Sequence, residues 1–220
     1  KITSLDVEWV RLLYCYPELL SDTLIKYIAK NDKICKYVDI PLQHIDDTIL
    51  KTMGRRTSEK EIKNLIEKIR NAGDIAIRST FIVGFPGETD EQYQKLYDFI
   101  GEYKLNYAGF FAYSKEDGTA AAKLKNQIPQ AVKNKRLKNI TALQSKVIFE
   151  NNKNYVGKSL KVLYEGIDYD NNIFYGRPEF CAPEVDAKVL FSSDYLVNVG
   201  NFYDVKITGA NGYDLVGEVK

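Results

Sequence analysis

Two apolar periods alternate along this chain, and their order divides it into three parts. Residues 8–14 (Glu-Trp-Val-Arg-Leu-Leu-Tyr) read as a strand, ended by Pro17. Ser21 is placed to cap a helix through about Lys30. Tyr37 to Pro41 reads as a second strand, and Asp46 or Asp47 opens a short helix to about Met53. Ser58 and Glu61 have capping-box spacing. The helix that follows carries Ile62, Leu65, Ile66 and Ile69 at helical spacing and stops at Gly73. Residues 75–85 form a third strand. Residues 90–102 form a helix with Tyr93, Leu96, Tyr97 and Ile100 on one side, and residues 107–113 a fourth strand. Strand and helix in alternation predict a parallel sheet with right-handed crossovers.

The pattern changes after Tyr113. Residues 114–127 are polar, and Pro129 suits the first turn of a long helix. Val132, Leu137, Ile140, Leu143, Val147 and Ile148 carry that helix to about Asn154. From Val156 onward, short apolar runs separated by Asp, Asn and Gly clusters predict a small closed barrel of about five strands. Asn211-Gly212 is a hairpin signal between two such runs. The expected units are residues 1–128, a connecting helix 129–154, and an all-β module 155–220. Four strands cannot close a β/α barrel, so the first strand is expected to have a free edge unless further residues cover it.

The stretch from Ile77 to Gln92 carries the most chemistry. It reads as a strand covered on both faces, a bare Gly84-Phe85-Pro86-Gly87 turn, and a helix start where Thr89 and Gln92 repeat the capping-box spacing. Gly84 and Gly87 remove side chains where the backbone turns, leaving room for a flat or bulky group. Parallel α/β proteins build sites at such strand ends, although a Gly-rich turn is also an ordinary βα connection.

Composition narrows the function classes. No stretch approaches the roughly 20 apolar residues of a membrane span. The start lacks a secretory core segment and a methionine, which suggests a piece of a longer protein. Three cysteines (Cys15, Cys35 and Cys181) are odd in number and far apart. They argue against a disulfide framework, for buried structural thiols, and for a reducing cytoplasm. The net charge of +1 is unevenly divided: residues 156–220 hold six basic and ten acidic side chains. That acidic end disfavours a phosphate-backbone partner and favours a basic one.

Four segments taken in order resemble the radical S-adenosylmethionine (SAM) methylthiotransferases. They are Tyr37-Val38-Asp39-Ile40-Pro41-Leu42-Gln43-His44, Met53-Gly54-Arg55-Arg56-Thr57, residues 81–89 from Phe81 to Thr89, and residues 113–121 from Tyr113 to Ala121. Gln127-Ile128-Pro129 with its helix looks like the family's linker, and the last module resembles its TRAM domain. The resemblance implies an α/β fold: a partial parallel β/α radical SAM (TIM-like) barrel followed by a small all-β TRAM, OB-like barrel. Gln43-His44, Gly176-Arg177 and residues 182–186 look like the branch that modifies an aspartate of the twelfth small-subunit ribosomal protein. The tRNA-modifying branch and a non-enzymatic binding module are the rival readings.

The resemblance implies two cofactors, SAM and [4Fe-4S] clusters. This chain departs from the family in lacking the Cys-x-x-x-Cys-x-x-Cys motif whose thiolates hold such a cluster. The chain alone is therefore expected to bind no cluster and to catalyse nothing. The residues expected around the cofactor are Gln43, His44, Arg78, Val83, Gly84, Phe85, Glu88, Tyr113, Ser114 and Arg11. Val83, Gly84 and Phe85 would pass under the adenine while Glu88 shapes the turn. His44 is either a site residue or a hydrogen-bonded structural histidine. Arg78 either meets the methionine carboxylate or forms a salt bridge at the strand's start. Arg55 and Arg56 read as surface or substrate contacts, and Tyr175 and Phe180 as core or substrate-facing aromatics. The expected partner is a basic ribosomal protein met through the acidic module, with tRNA less favoured and no membrane.

Overall fold

In the computed structural model, which describes residues 2–219, β1 (Val10–Leu12), β2 (Ile34–Gln43), β3 (Ala76–Val83) and β4 (Tyr107–Ala112) form one sheet in the order β1-β2-β3-β4. All three pairings are parallel, with Leu12 beside Val38, Val38 beside Ile77 and Arg78 beside Tyr107. The crossovers are α1 (Asp22–Lys30) and α3 (Glu59–Ala72), with the short α2 (Asp47–Thr52) before α3, and α4 (Asp90–Tyr103). Ser21 caps α1 and Asp46 caps α2, while Ser58/Glu61 and Thr89/Gln92 close full capping boxes on α3 and α4. Each cap satisfies backbone N–H groups that a helix start leaves open. Val38, Ile40, Ile77, Phe81 and Val83 meet Ile28, Ile62, Ile66, Leu96 and Ile100 in one core on the helical side of the sheet.

Two expectations about the strands change. The β1 strand is three residues long because Tyr14 takes a left-handed conformation (φ 57°) just beyond it. The β3 strand is covered on one face only. Ile77, Phe81 and Val83 are buried against the helices, whereas Arg78, Thr80 and Ile82 are half-buried. A four-stranded sheet cannot wrap round on itself, so its concave face stays open. Among the described residues β1 pairs only with β2, leaving the expected free edge.

The long helix α5 (Gln130–Lys153) starts beside the β3–α4 turn and ends at the opposite end of the sheet. Its 24 residues span about 36 Å. Ile140, Leu137 and Leu143 join the sheet's core, and Gln144 donates to the backbone carbonyl of Leu105 (3.1 Å). Beyond it, β5 (Ser159–Asp168), β6 (Ile173–Pro178), β7 (Val189–Ser193), β8 (Phe202–Asn211) and β9 (Asp214–Val219) close a barrel in the order β5-β6-β7-β9-β8. Val162, Tyr164, Val189, Phe191, Val205, Ile207 and Leu215 fill it. Gly212 (φ 62°) supplies the left-handed turn of the β8–β9 hairpin. No helix among the described residues is long and apolar enough to cross a membrane.

The two parts meet at a seam. The β6–β7 connection lays Phe180, Cys181, Ala182 and Ala187 against Cys35, Tyr37, Ala76 and Tyr107 near the amino ends of the strands. Trp9 stacks edge-on against Phe202 (4.6 Å), and Tyr155 lies flat on Phe180 (4.5 Å).

Candidate functional site

Three adjacent strands end the same way. Tyr14 after β1, Gln43 at the end of β2 and Gly84 after β3 all have left-handed backbones, with φ of 57°, 71° and 71°. For the two residues with a Cβ this conformation costs on the order of 1–2 kcal/mol each. It turns the backbone sharply at the carboxyl end of the sheet, where parallel α/β folds place their sites. The half-buried amide of Gln43 has no hydrogen-bond partner among the described residues.

A buried carboxylate braces this rim. Glu88 accepts from the N–H of Gly84 (2.6 Å), from Arg136 Nη1 of α5 (2.5 Å) and from His44 Nε2 (3.1 Å). The N–H of Asp46 donates to His44 Nδ1 (3.0 Å), so Nδ1 carries no proton and Nε2 is the donor toward Glu88. His44 is fully buried, with both ring nitrogens hydrogen-bonded. Arg136 sets a guanidinium against the buried Glu88 carboxyl group, and it also pairs with the exposed Asp90 (2.7 Å).

The bare face of Gly84 is already occupied. A methyl group there would overlap the side-chain stem of Lys133 from α5, whose Nζ donates to the carbonyl of Tyr113 (2.8 Å). The missing Cβ of Gly84 admits the chain's own lysine, and its left-handed backbone favours glycine as well. Val83, Phe85 and Pro86 are buried with it, and Phe85 stacks edge-on with Tyr113 (5.3 Å). The hydroxyl of Tyr113 is buried without a partner, and Ser114 is exposed and donates to Glu116 (3.1 Å).

The expected site residues therefore fall into two groups. Gln43, His44, Val83, Gly84, Phe85, Glu88, Tyr113 and Ser114 gather at the carboxyl ends. Arg11 and Arg78 lie lower on the concave face and are held by the β6–β7 connection. Arg11 Nη1 donates to the carbonyl of Glu179 (2.7 Å). Arg78 meets Asp39 (3.2 Å) and Asp186 (3.3 Å). Asp186 also accepts from the Tyr37 hydroxyl (2.6 Å) and from the Ala182 N–H (2.8 Å). Burial pushes the Asp186 carboxyl up, against the pull of Tyr37, Ala182 and Arg78. Burial works against the charge of Arg78, but Asp186, Tyr37 and Asp39 hold it above its ordinary value.

Above this floor the concave face carries Thr80, Ile82 and Phe111, on the same side as Arg78 and Tyr107 by strand alternation. Phe111 is 62% exposed, and Leu13 beyond β1 is also exposed. Unpaired polar groups at Gln43, Thr80 and Tyr113 beside open apolar surface suit a ligand with a flat apolar part and polar ends, as SAM has. A [4Fe-4S] cluster does not fit. Among the described residues no three His, Cys, Asp or Glu side chains gather as a metal would require. Burial raises the thiols of Cys35 and Cys181, and Cys181 shares a hydrogen bond with Tyr107 (2.9 Å). Cys15, half-buried, is raised by burial and by Asp39.

Sequence reasoning missed Lys133, Arg136, Asp186 and Thr80. The polar residues at 133, 136 and 144 share the buried side of α5 with Ile140, and that shared side is the signal that was present.

Comparison with known proteins agrees with this fold. Residues 4–100 match the radical SAM superfamily and residues 156–219 match the TRAM domain. The ribosomal protein uS12 methylthiotransferase RimO of Alkaliphilus oremlandii is 48% identical over 216 residues, 97% of this chain and 49% of that protein. The enzyme of the same name from Acetivibrio thermocellus is 44% identical, over 97% of this chain and 47% of its own length. The chain spans about half the length of the curated relatives it matches. Among solved structures, Escherichia coli coproporphyrinogen III oxidase (HemN), a radical SAM enzyme, superposes with a TM-score of 0.52 at 16% identity, covering 63% of this chain and 32% of its own. Methanocaldococcus infernus Elp3 gives 0.50 at 13% identity, covering 83% of this chain and 60% of that one. At such identities these two speak for the fold alone. With its parallel sheet and its closed five-stranded barrel, the chain carries a radical SAM domain and a TRAM domain, and along 97% of its length it is similar to proteins named ribosomal protein uS12 methylthiotransferase.

Proposed function

We propose that this chain forms one side of the reaction chamber of a transferase that attaches a methylthio group to an aspartate of the small-subunit ribosomal protein uS12. One observation carries the reading. The unpaired polar groups of Gln43, Thr80 and Tyr113 share the open end of a parallel sheet whose rim is braced by buried Glu88, His44 and Arg136. The relatives' names support the choice of substrate.

SAM, when bound, supplies the methyl group and the radical chemistry. Gln43, Thr80 and Tyr113 hold and orient it, and Ile82 and Phe111 offer apolar surface beside them. Glu88, through the Gly84 N–H, keeps the turn at one geometry. Lys133 covers that turn from the outer side and excludes water from it. The β6–β7 connection closes the amino end of the concave face, so that reactants enter from the carboxyl side. Arg11 and Arg78 serve that closure in this reading. The ligands of a cluster come from the part of the full-length protein outside this chain, and the chain alone is inert.

Intact-mass measurement on uS12 tests the proposal. The full-length protein, reconstituted anaerobically and given SAM, a reductant and sulfide, is expected to add one methylthio group in place of one hydrogen. Unmodified uS12 alongside methylthiolated tRNA would overturn the reading in favour of the tRNA-modifying branch.

A further inference from the structure

The barrel has two mouths, and only one of them faces the sheet. The β6–β7 connection and the β8–β9 hairpin lie at the seam, where Tyr213 shares a hydrogen bond with Ser145 of α5 (3.1 Å). The opposite mouth is formed by the β5–β6 turn, residues 169–172, and the β7–β8 loop, residues 194–201. That loop crosses the opening: the Gly200 N–H donates to the Tyr164 carbonyl (2.9 Å), and Val197 drops into the barrel core. Its neighbours turn outward. Leu196 is 86% exposed, Val199 65% and Tyr169 of the adjoining turn 85%, with Tyr195 beside them half-exposed.

A lone exposed apolar residue needs no explanation, but four at one mouth form a patch of the kind that marks an interface. Among the described residues its charge is acidic. No Lys or Arg occurs between residues 162 and 176, or between 189 and 205. Asp170 and Asp194 flank the patch, exposed and without a side-chain partner among the described residues. Asp168 is spent locally on Asn171. Lys188 lies over the Tyr175 ring (4.3 Å). Glu165 is paired with Arg177 (2.7 Å) and adds nothing.

We infer that this outer mouth is a docking surface for a basic protein, whose apolar anchor seats on Tyr169, Leu196 and Val199 while its cations meet Asp170 and Asp194. The inference rests on the proposed function and deepens it, since it names where uS12 is held away from the reacting end. RNA is the wrong partner for this mouth. A phosphate backbone needs cations to displace its counterions, and the patch has acids instead.

The test titrates this chain against labelled uS12 and, separately, against a single-stranded RNA. Two variants are compared with the unaltered chain: Tyr169→Ser/Leu196→Ser/Val199→Ser and Asp170→Lys/Asp194→Lys. All five side chains are at the surface, so the unfolding midpoint should not move. If the triple variant does not fold, the charge reversal carries the test. We expect roughly tenfold weaker uS12 binding for each variant, reduced salt sensitivity for the charge reversal, and no RNA binding through these residues. Equal affinity in unaltered and variant chains overturns the docking surface while leaving methylthiolation of uS12 standing. No uS12 binding by the unaltered chain, or RNA binding lost in the triple variant, also overturns it. Methylthiolation itself is decided by the mass measurement, so the two failures are separable.

Discussion

Replacing Arg136 by methionine removes the counter-charge of Glu88 while keeping most of the packing of its stem near Tyr93. The Glu88 side chain is fully buried and that of Arg136 is 7% exposed. The second ion pair, to Asp90, is 89% exposed on the acidic side and contributes little. Breaking a buried pair by removing one partner costs about 3–5 kcal/mol, because the remaining charge has no compensation. That is a large part of the 5–15 kcal/mol typical of a whole domain. Arg136→Met should therefore lower the urea midpoint by an amount equivalent to about 3 kcal/mol or more. The loss should appear as faster amide exchange at residues 84–92, which Glu88 anchors. Adding Glu88→Gln removes the stranded charge, so the double variant should lose less than the sum of the two singles, by about 1–3 kcal/mol. An Arg136→Met cost below about 1 kcal/mol, or strict additivity, would refute the claim that this pair braces the rim.

Three further outcomes are expected. Gly84→Ala should be strongly destabilising, because it forces a left-handed alanine and collides with Lys133. Lys133→Ala should recover the steric part and leave about 1 kcal/mol of backbone strain, measured by thermal unfolding. Asp186 has a folded-state pKa raised above its ordinary 3.8, so folding favours its protonated form. Its contribution is fully present below that value and is lost as pH rises through the raised pKa. Asp186→Asn, which cannot ionise, should gain stability relative to the unaltered chain across that window, and a pH-independent difference would contradict this. Alkylation of the native chain should reach Cys15 well before Cys35 and Cys181, as read by peptide mass spectrometry, since only Cys15 is half-exposed.

What could be read from the sequence was local. The capping boxes at Ser58 and Thr89, the Asn211-Gly212 turn and the apolar spacing of α3 depend on residues within one or two turns of each other, and each is found as expected. The beginning and end of β1 were not legible, because a left-handed Tyr14 leaves no pattern in composition. The site was legible in part. Gly84 and Glu88 could be singled out, but what fills the space at Gly84 comes from Lys133, nearly fifty residues later. The partner that occupies Arg78 comes from Asp186, 108 residues away. Neither contact leaves a periodic signal. Helix α5 buries lysine, arginine, glutamine and asparagine alongside its apolar residues, so its site-facing turn reads as a solvated linker. His44 shows the converse case. Its type suggested chemistry, but its two partners, Glu88 and the Asp46 N–H, leave it no free nitrogen.

The most direct test of the account is hydrogen exchange on the full-length, anaerobically reconstituted protein with and without SAM. SAM is expected to protect residues 43–44, 80–85 and 112–114 and to leave Arg11 and Arg78 unchanged. Protection centred on Arg11 and Arg78, or none within this chain, would contradict the placement of the cofactor at the carboxyl ends of the sheet.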